Sequence, residues 1–428
     1  TVSTSWDKNI YTVQTPTDGH WEVKIKTPGV MDNQTLTVKG ENTITIHNIL
    51  IGEVWLCTGQ SNMEFPVARD PNVKWKTGIL NETEEMKDAD YPSIRLFHVE
   101  HQLAPEGEKE DCIGRWLVCT PENVKEFSAV GFIFGRKLYK ELQMPVGLIQ
   151  STWGGTHAES WTERRVMKDN PLYADVMEEF APQNVKREKD KCKVPATLWN
   201  GMIAPIKGYT IKGNIWYQGE SNSPNPTLYK KLFPAMVAQW REFFNNPGMP
   251  LYYVQITPWQ AEGKDKLDRA WFRQCQLELM YEVPNVGMVT TTDAGSEKFI
   301  HPPYKIKVGE RLAYWALAKT YGKEGFLYAG PFYKSCQLKG NVVEITFENG
   351  NEGLIPENQR LKGFELVDKN GRIVPAEAEI INGSARVKVW NDSISHPVEV
   401  RYCFRNYMEG DLFNNAEIRA SPFRIVVQ

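Results

Sequence analysis

Hydrolysis of an ester at a serine requires a hydroxyl nucleophile, a base to take its proton and donors aimed at the oxyanion. Four short stretches supply these requirements in order: GQSN around Ser61, STWGGT from Ser151 to Thr156, WYQGESN from Trp216 to Asn222, and IHPPYK from Ile300 to Lys305. Ser61 is the candidate nucleophile, because Gly59 lets the backbone turn sharply at the end of an apolar run and leaves the hydroxyl exposed. Gly154 and Gly155 offer bare backbone N–H groups that can approach a ligand closely. Gln218 carries an amide suited to an oxyanion, and Glu220 is spaced to orient a histidine. His301 is the candidate base, in a loop stiffened by Pro302 and Pro303. Taken singly, each has a plainer explanation as a turn serine, a tight glycine turn, a solvated loop residue or a surface histidine. Together they describe acyl transfer.

Such residues converge only if strands deliver them to one edge. VWLC ahead of Ser61, MPVGLIQSTWGG (144–155) and IKGNIWYQGESN (211–222) each read as a buried strand that ends in a polar, glycine-bearing stretch. PTLYKKLFPAMVAQWREFF (226–244) places Leu228, Leu232, Met236, Val237 and Trp240 at helical spacing, and GMPLYYVQI (248–256) is strand-like again. Alternating strands and helices predict an α/β domain with a mainly parallel sheet, whose active residues collect at the carboxyl ends of strands. The texture gives three regions: a β segment over 1–48, the α/β domain over 49–329, and an all-β, sandwich-like domain over 330–428. In the first, HWEVKIKTP, TLTVKG and NTITIHNI read as strands; in the last, NVVEITFE, KGFELVD, RIVPAEAEI, ARVKVW, PVEVRYCF and PFRIVVQ do, separated by turn signals. The first region has too few strands to stand alone, so the two chain ends are expected to pair into one module.

Composition narrows the class. The 428 residues exceed what one core usually serves, and 41% apolar with 24% charged residues is a globular balance. Fourteen Trp, 17 Tyr and 18 Phe make it rich in the aromatics that often line sugar-binding surfaces. A net charge of −3 without long blocks of either sign gives no reason to expect nucleic acid or an anionic membrane as partner. No apolar run is long enough to span a bilayer, and the first residues lack the pattern of a signal peptide. Seven scattered cysteines without a CxxC pair argue against a zinc knuckle or a disulfide scaffold.

Ser61 in GQSNM, Gly155 in GGT, QGESN, and His301 in IHPPYK, in that order, resemble the four blocks of the SGNH (GDSL-like) hydrolases. More narrowly, GEVWLC, AESW (158–161), WNGMIAP (199–205), VGERLA (308–313), RYCFRNY and SPFR extend a resemblance to the sialate O-acetylesterase family over nearly the whole chain from about Gly19. The resemblance implies an SGNH-type three-layer domain and a serine esterase that removes O-acetyl groups from sugars, with no metal and no organic cofactor. It implies export to a periplasm or the extracellular space. It implies that Ser61 attacks the acetyl carbonyl, that His301 acts as base and then acid, and that the N–H groups of Ser61 and Gly155 and the side chain of Gln218 hold the oxyanion. Asn62 and Asn222 are second choices as donors, and Gln60, Asn62, His157, Asn200 and Asn222 are read as substrate-binding.

One position departs from the pattern. The family commonly carries Asp-Ile-His at the last block; here Asp293 to His301 keeps the interval, but Phe299 stands at the Asp position. Phe cannot accept a hydrogen bond, so Glu220 is the first candidate to orient the imidazole, with Glu297 or a backbone carbonyl behind it. His157 competes as base, though its strand-end position suits substrate contact better. Arg164 and Arg165 are read as a solvated helix start rather than as a clamp on a sugar carboxylate. The competing functions are an acetyl esterase acting on plant polysaccharide such as xylan, a lipid or thioester hydrolase of the same chemistry, and a non-catalytic sugar-binding protein.

Overall fold

The computed structural model describes residues 1–260 and 267–427. Seven strands form the central sheet: β1 (Glu53–Gly59), β2 (Tyr91–His98), β3 (Trp116–Cys119), β4 (Val146–Thr152), β5 (Gly213–Tyr217), β6 (Leu251–Val254) and β7 (Val286–Val289). Their spatial order is β7-β6-β5-β1-β4-β2-β3, and every neighbouring pair is parallel except β2 with β3. Strand β1 is therefore central. It is flanked by β4 and β5, and its last five residues are buried, as the unbroken apolar run requires of a strand covered on both faces.

Five helices matter for the site: α1 (Ser61–Glu64), α2 (Ala129–Leu142), α3 (Pro226–Phe243), α4 (Asp268–Glu282) and α5 (Lys305–Trp315). Successive residues of β6 show the layering, because strand side chains alternate between faces. Tyr252 packs against Trp315 of α5 with ring centroids 6.1 Å apart, and Tyr253 meets Phe233 of α3 at 5.1 Å on the other side. Helices α2 and α5 cover the first face together with Trp55, and α3 and α4 cover the second. Helix starts follow the capping chemistry: Ser128 Oγ accepts from Gly131 N–H at α2, and Asn225 Oδ1 accepts from Leu228 N–H at α3, where Pro226 opens the helix.

The first 51 residues form a separate antiparallel sheet of Val2–Thr4, Ile10–Tyr11, Met31–Lys39 and Thr43–Ile51. HWEVKIKTP is not one of its strands; residues 20–28 lie outside regular structure and Trp21 is 43% exposed, so its alternation finds no partner edge. The C-terminal region is a sandwich of two four-stranded antiparallel sheets. Phe423 joins them, touching Tyr333 and Phe347 of one sheet and Phe364 and Tyr402 of its own. Phe332–Lys339 is a strand that the sequence reading did not find. The expected pairing of the two chain ends does not occur: among the described residues, the N-terminal strands pair as strands only within their own sheet.

Candidate active site

The chain leaves β1 at Gly59, whose φ is +136° and whose added Cβ would stand 2.2 Å from the Tyr217 carbonyl oxygen. No other residue fits that turn. Gln60 N–H donates to the same carbonyl at 3.0 Å, and helix α1 starts at Ser61. The first N–H of a helix has no acceptor within it, so the Ser61 N–H is free to point at a ligand.

His301 Nε2 lies 2.8 Å from Ser61 Oγ. Its ring stacks obliquely on Trp75, with centroids 4.8 Å apart. Burial, reinforced by the Lys305 ammonium, pulls its pKa down to about 4, so the imidazole is neutral near pH 7 and able to take a proton from the hydroxyl. Nδ1 has no hydrogen-bond partner among the described residues. Phe299 is 65% exposed and supplies none.

Across the cleft, Gly154 and Gly155 follow the end of β4. A Cβ on Gly154 would stand 3.2 Å from Ser61 Cβ, and Glu64 Oε2 accepts from the Gly154 N–H at 2.6 Å. Gly155, at φ +74°, turns through the left-handed region. Glu64 also pairs with Lys76 at 3.2 Å and approaches His101 at 3.9 Å. His101 stacks on Trp153 with centroids 4.0 Å apart and planes 8° from parallel. These groups enclose a cleft of about 450 Å³ that Gln60, Glu220, Ser221 and Ile300 also line. A cavity of about 480 Å³ at the opposite, amino end of β1, against the N-terminal sheet, has none of this chemistry.

Beneath Ser61 lies a buried polar chain. Asn62 Nδ2 donates to Glu220 Oε1 at 2.7 Å and to the Ile300 carbonyl at 3.1 Å, while Asn62 Oδ1 accepts from Lys305 Nζ at 2.6 Å. Lys305 sits over the rings of Phe65 and Tyr217, 4.7 and 5.6 Å from their centroids. Burial pushes Lys305 down to about 7 against the pull of Glu220, and burial raises the Glu220 carboxyl above its usual range.

The structure thus gathers Gln60, Ser61, Gly155, Glu220 and His301 at one cleft and corrects several expected roles. Glu220 meets Asn62 rather than the imidazole. Asn62 spends its amide on Glu220 and Ile300, so it is no oxyanion donor. Gln218 does not line the cleft; its Nε2 donates to Thr156 O at 3.2 Å and to Asn222 Oδ1 at 2.6 Å. Asn222 in turn accepts from Ala158 N–H and donates to the buried Glu159, which fixes the 158–161 turn rather than a substrate. Asn200 holds the Ala104 carbonyl at 2.8 Å, away from the cleft. His157 packs edge-on against Phe180, and burial takes it down to about 4. Arg164 donates to the Pro105 and Pro195 carbonyls, and Arg165 pairs with Glu163 and Glu242, so neither faces a sugar. Gln60 Oε1 accepts from the N–H groups of Gly219 and Ser221, and the residue lines the cleft.

The sequence reading missed Glu64, Trp75, His101, Trp153 and Lys305. Trp153 and Lys305 stood inside the four stretches and only their neighbours were read; Trp75 and His101 arrive from loops that no local pattern marks.

A hydroxyl and a neutral imidazole in contact at the carboxyl end of the central strand of a three-layer sheet define an α/β esterase. The profile of the family described as carbohydrate esterase, sialic acid-specific acetylesterase, matches residues 51–318. The chain is 34% identical to the human sialate O-acetylesterase over 430 residues, covering 92% of this chain and 78% of that one. It is 29% identical to the mouse sialate O-acetylesterase, over 88% of this chain and 77% of the relative. Its fold superposes on the crystal structure of a carbohydrate acetylesterase from Xanthomonas citri with a TM-score of 0.87 at 29% identity, covering 99% of this chain and 92% of the other. The chain belongs to the sialic acid-specific acetylesterase family of carbohydrate esterases and is a carboxylic ester hydrolase.

Proposed function

We propose that this protein is a sialate O-acetylesterase in which Ser61 is the nucleophile and His301 its base. The observation that carries the reading is the 2.8 Å contact between His301 Nε2 and Ser61 Oγ, made by an imidazole held neutral. His301 takes the hydroxyl proton as Ser61 Oγ adds to the acetyl carbonyl. The backbone N–H groups of Ser61 and Gly155 receive the oxyanion, each such donor contributing on the order of 10²-fold or more in turnover. The tetrahedral adduct collapses when His301 returns the proton to the departing sugar oxygen, leaving an acetyl-serine. Water then gives its proton to His301 and attacks; acetate leaves and Ser61 is restored. Trp75 and Trp153 both line the cleft, giving it aromatic surface suited to contact with a pyranose ring.

The test is acetate release from a panel of O-acetylated sialosides, with acetylated xylan oligosaccharides alongside. The sialosides should react faster, and Ser61→Ala should lose at least about 10³-fold in kcat with an unchanged melting curve. Full activity in Ser61→Ala overturns the nucleophile assignment, and preference for xylan overturns the substrate. The family resemblance also supports export to the periplasm or beyond, which fractionation of the producing cell followed by the same assay would check.

A further inference from the structure

His301 presents an unusual problem: it contacts Ser61 through Nε2, yet among the described residues none holds Nδ1, where an acid ordinarily steadies the ring. Burial against Trp75 restrains the ring but does not set its height above Ser61. The backbone just before the histidine is, however, tied down. Asn62, directly after Ser61, donates to the Ile300 carbonyl, directly before His301. The partners of the catalytic contact are therefore bridged by one side chain. That side chain has its other two hydrogen-bonding sites filled from below, by Glu220 on Nδ2 and by Lys305 on Oδ1.

We propose that Lys305 is a positioning residue: its ammonium, fixed over Phe65 and Tyr217, locks the Asn62 carboxamide so that Asn62 holds the Ile300 carbonyl and sets His301 on Ser61, in place of an acid on Nδ1. This rests on Ser61 and His301 being the catalytic pair. Three features of the geometry support it. Lys305 is only 1% exposed, and its Nζ meets Asn62 rather than a carboxylate directly. The Asn62 carboxamide cannot flip without placing an N–H against the ammonium and an oxygen against Glu220 and Ile300. Lys305 is also the first residue of α5, so the same residue ties the helix to the loop that carries His301.

The charges around the pair are Lys305 and Glu220 below it, Arg269 farther off toward Glu220, and Glu64 with Lys76 and His101 along the cleft wall. Of these, Lys305 is the one that holds His301 toward its neutral form after burial. Removing the ammonium should therefore move the histidine as well as loosen it.

The experiment measures kcat, KM and their pH dependence for Lys305→Met in the full chain, using p-nitrophenyl acetate, with Ser61→Ala in parallel. The proposal expects kcat to fall about 10- to 100-fold from misplacement, KM to change little, and the acidic limb of the rate profile to move to higher pH. A merely structural role would not move that limb. Wild-type kcat, or a limb that stays in place, overturns the proposal. If Lys305→Met strands Glu220 and fails to fold, the charge-balanced double variant Lys305→Met with Glu220→Gln takes its place. It should remain slow with a raised acidic limb, and recovery of wild-type kcat and limb overturns the proposal. An active Ser61→Ala would instead strike the catalytic pair itself, so the two failures are distinguishable.

Discussion

Among the described residues no acid meets Nδ1 of His301, the proposed base, and burial with Lys305 sets its proton affinity instead. An acid on Nδ1 would raise the histidine; burial and Lys305 instead bring it down to about 4. The sign of the pH dependence follows. Nε2 can accept the Ser61 proton only when neutral, so kcat/KM for an acetyl ester should rise as pH passes upward through about 4 and level off by about pH 6, below the point near 7 where Lys305 loses its proton. A stopped-time acetate assay between pH 3 and 8 checks this; an acidic limb centred near 6.5 would show that His301 is not the buried, lysine-facing group that the structure places there. The residue scale was also where the sequence was most legible. Ser61, Gly155 and His301 were readable because each sits at a strand end or in a stiff loop with few alternative uses. Gln218, Asn62 and Asn222 were not, because an amide carries no mark of which way it donates. Their roles depend on Thr156, Glu220 and Glu159, partners many positions away in sequence.

At the level of elements, the loop carrying His301 is held between β7 and α5, and Asp293 is the residue that secures it. Asp293 keeps the expected interval to His301 but serves as an anchor: Arg311 of α5 forks onto both its oxygens at 2.7 and 2.9 Å, and Lys307 adds a contact at 2.8 Å. Burial opposes the charged form, yet Arg311 and Lys307 win and hold the carboxyl at about 2. A folded pKa below the ordinary value of 3.8 means stability that is present above about pH 4 and lost as pH falls through about 2. Asp293→Asn should therefore lower unfolding free energy at pH 7 by about 2 kcal/mol. The difference from wild type should shrink between pH 4 and pH 2, as urea melts at each pH would show. A constant difference across that range would mean that the lost charge is not the cause. Element types were largely recoverable from the sequence, since β1, β4, β5 and β6 and helix α3 follow their periodicity. The exception at 20–28 has the right alternation and no neighbouring edge, and pairing is a property of two segments that neither displays alone.

For the whole molecule, the question is whether the C-terminal sandwich is an appendage or part of the hydrolase. Its contacts with the α/β domain include buried and part-buried hydrogen bonds spread over several elements. Gln255, just past β6, bonds Ser421 at 3.1 Å; Thr290 and Thr292, just past β7, donate to the carbonyls of Arg419 and Ala420, each at 2.9 Å. Arg273 of α4 is fully buried and donates to the Arg405 and Asn406 carbonyls, with burial pulling its pKa down to about 9. Separation of the two domains would break these hydrogen bonds together and expose the surfaces they join. The α/β domain and the sandwich should therefore unfold as one unit, giving a single calorimetric transition whose van't Hoff and calorimetric enthalpies agree. Two resolved transitions would make the sandwich an independent module. In the single-transition case, Arg273→Met should lower the one melting temperature by several degrees and, because α4 flanks the β5 end that carries Glu220, lower esterase activity at temperatures well below the melt.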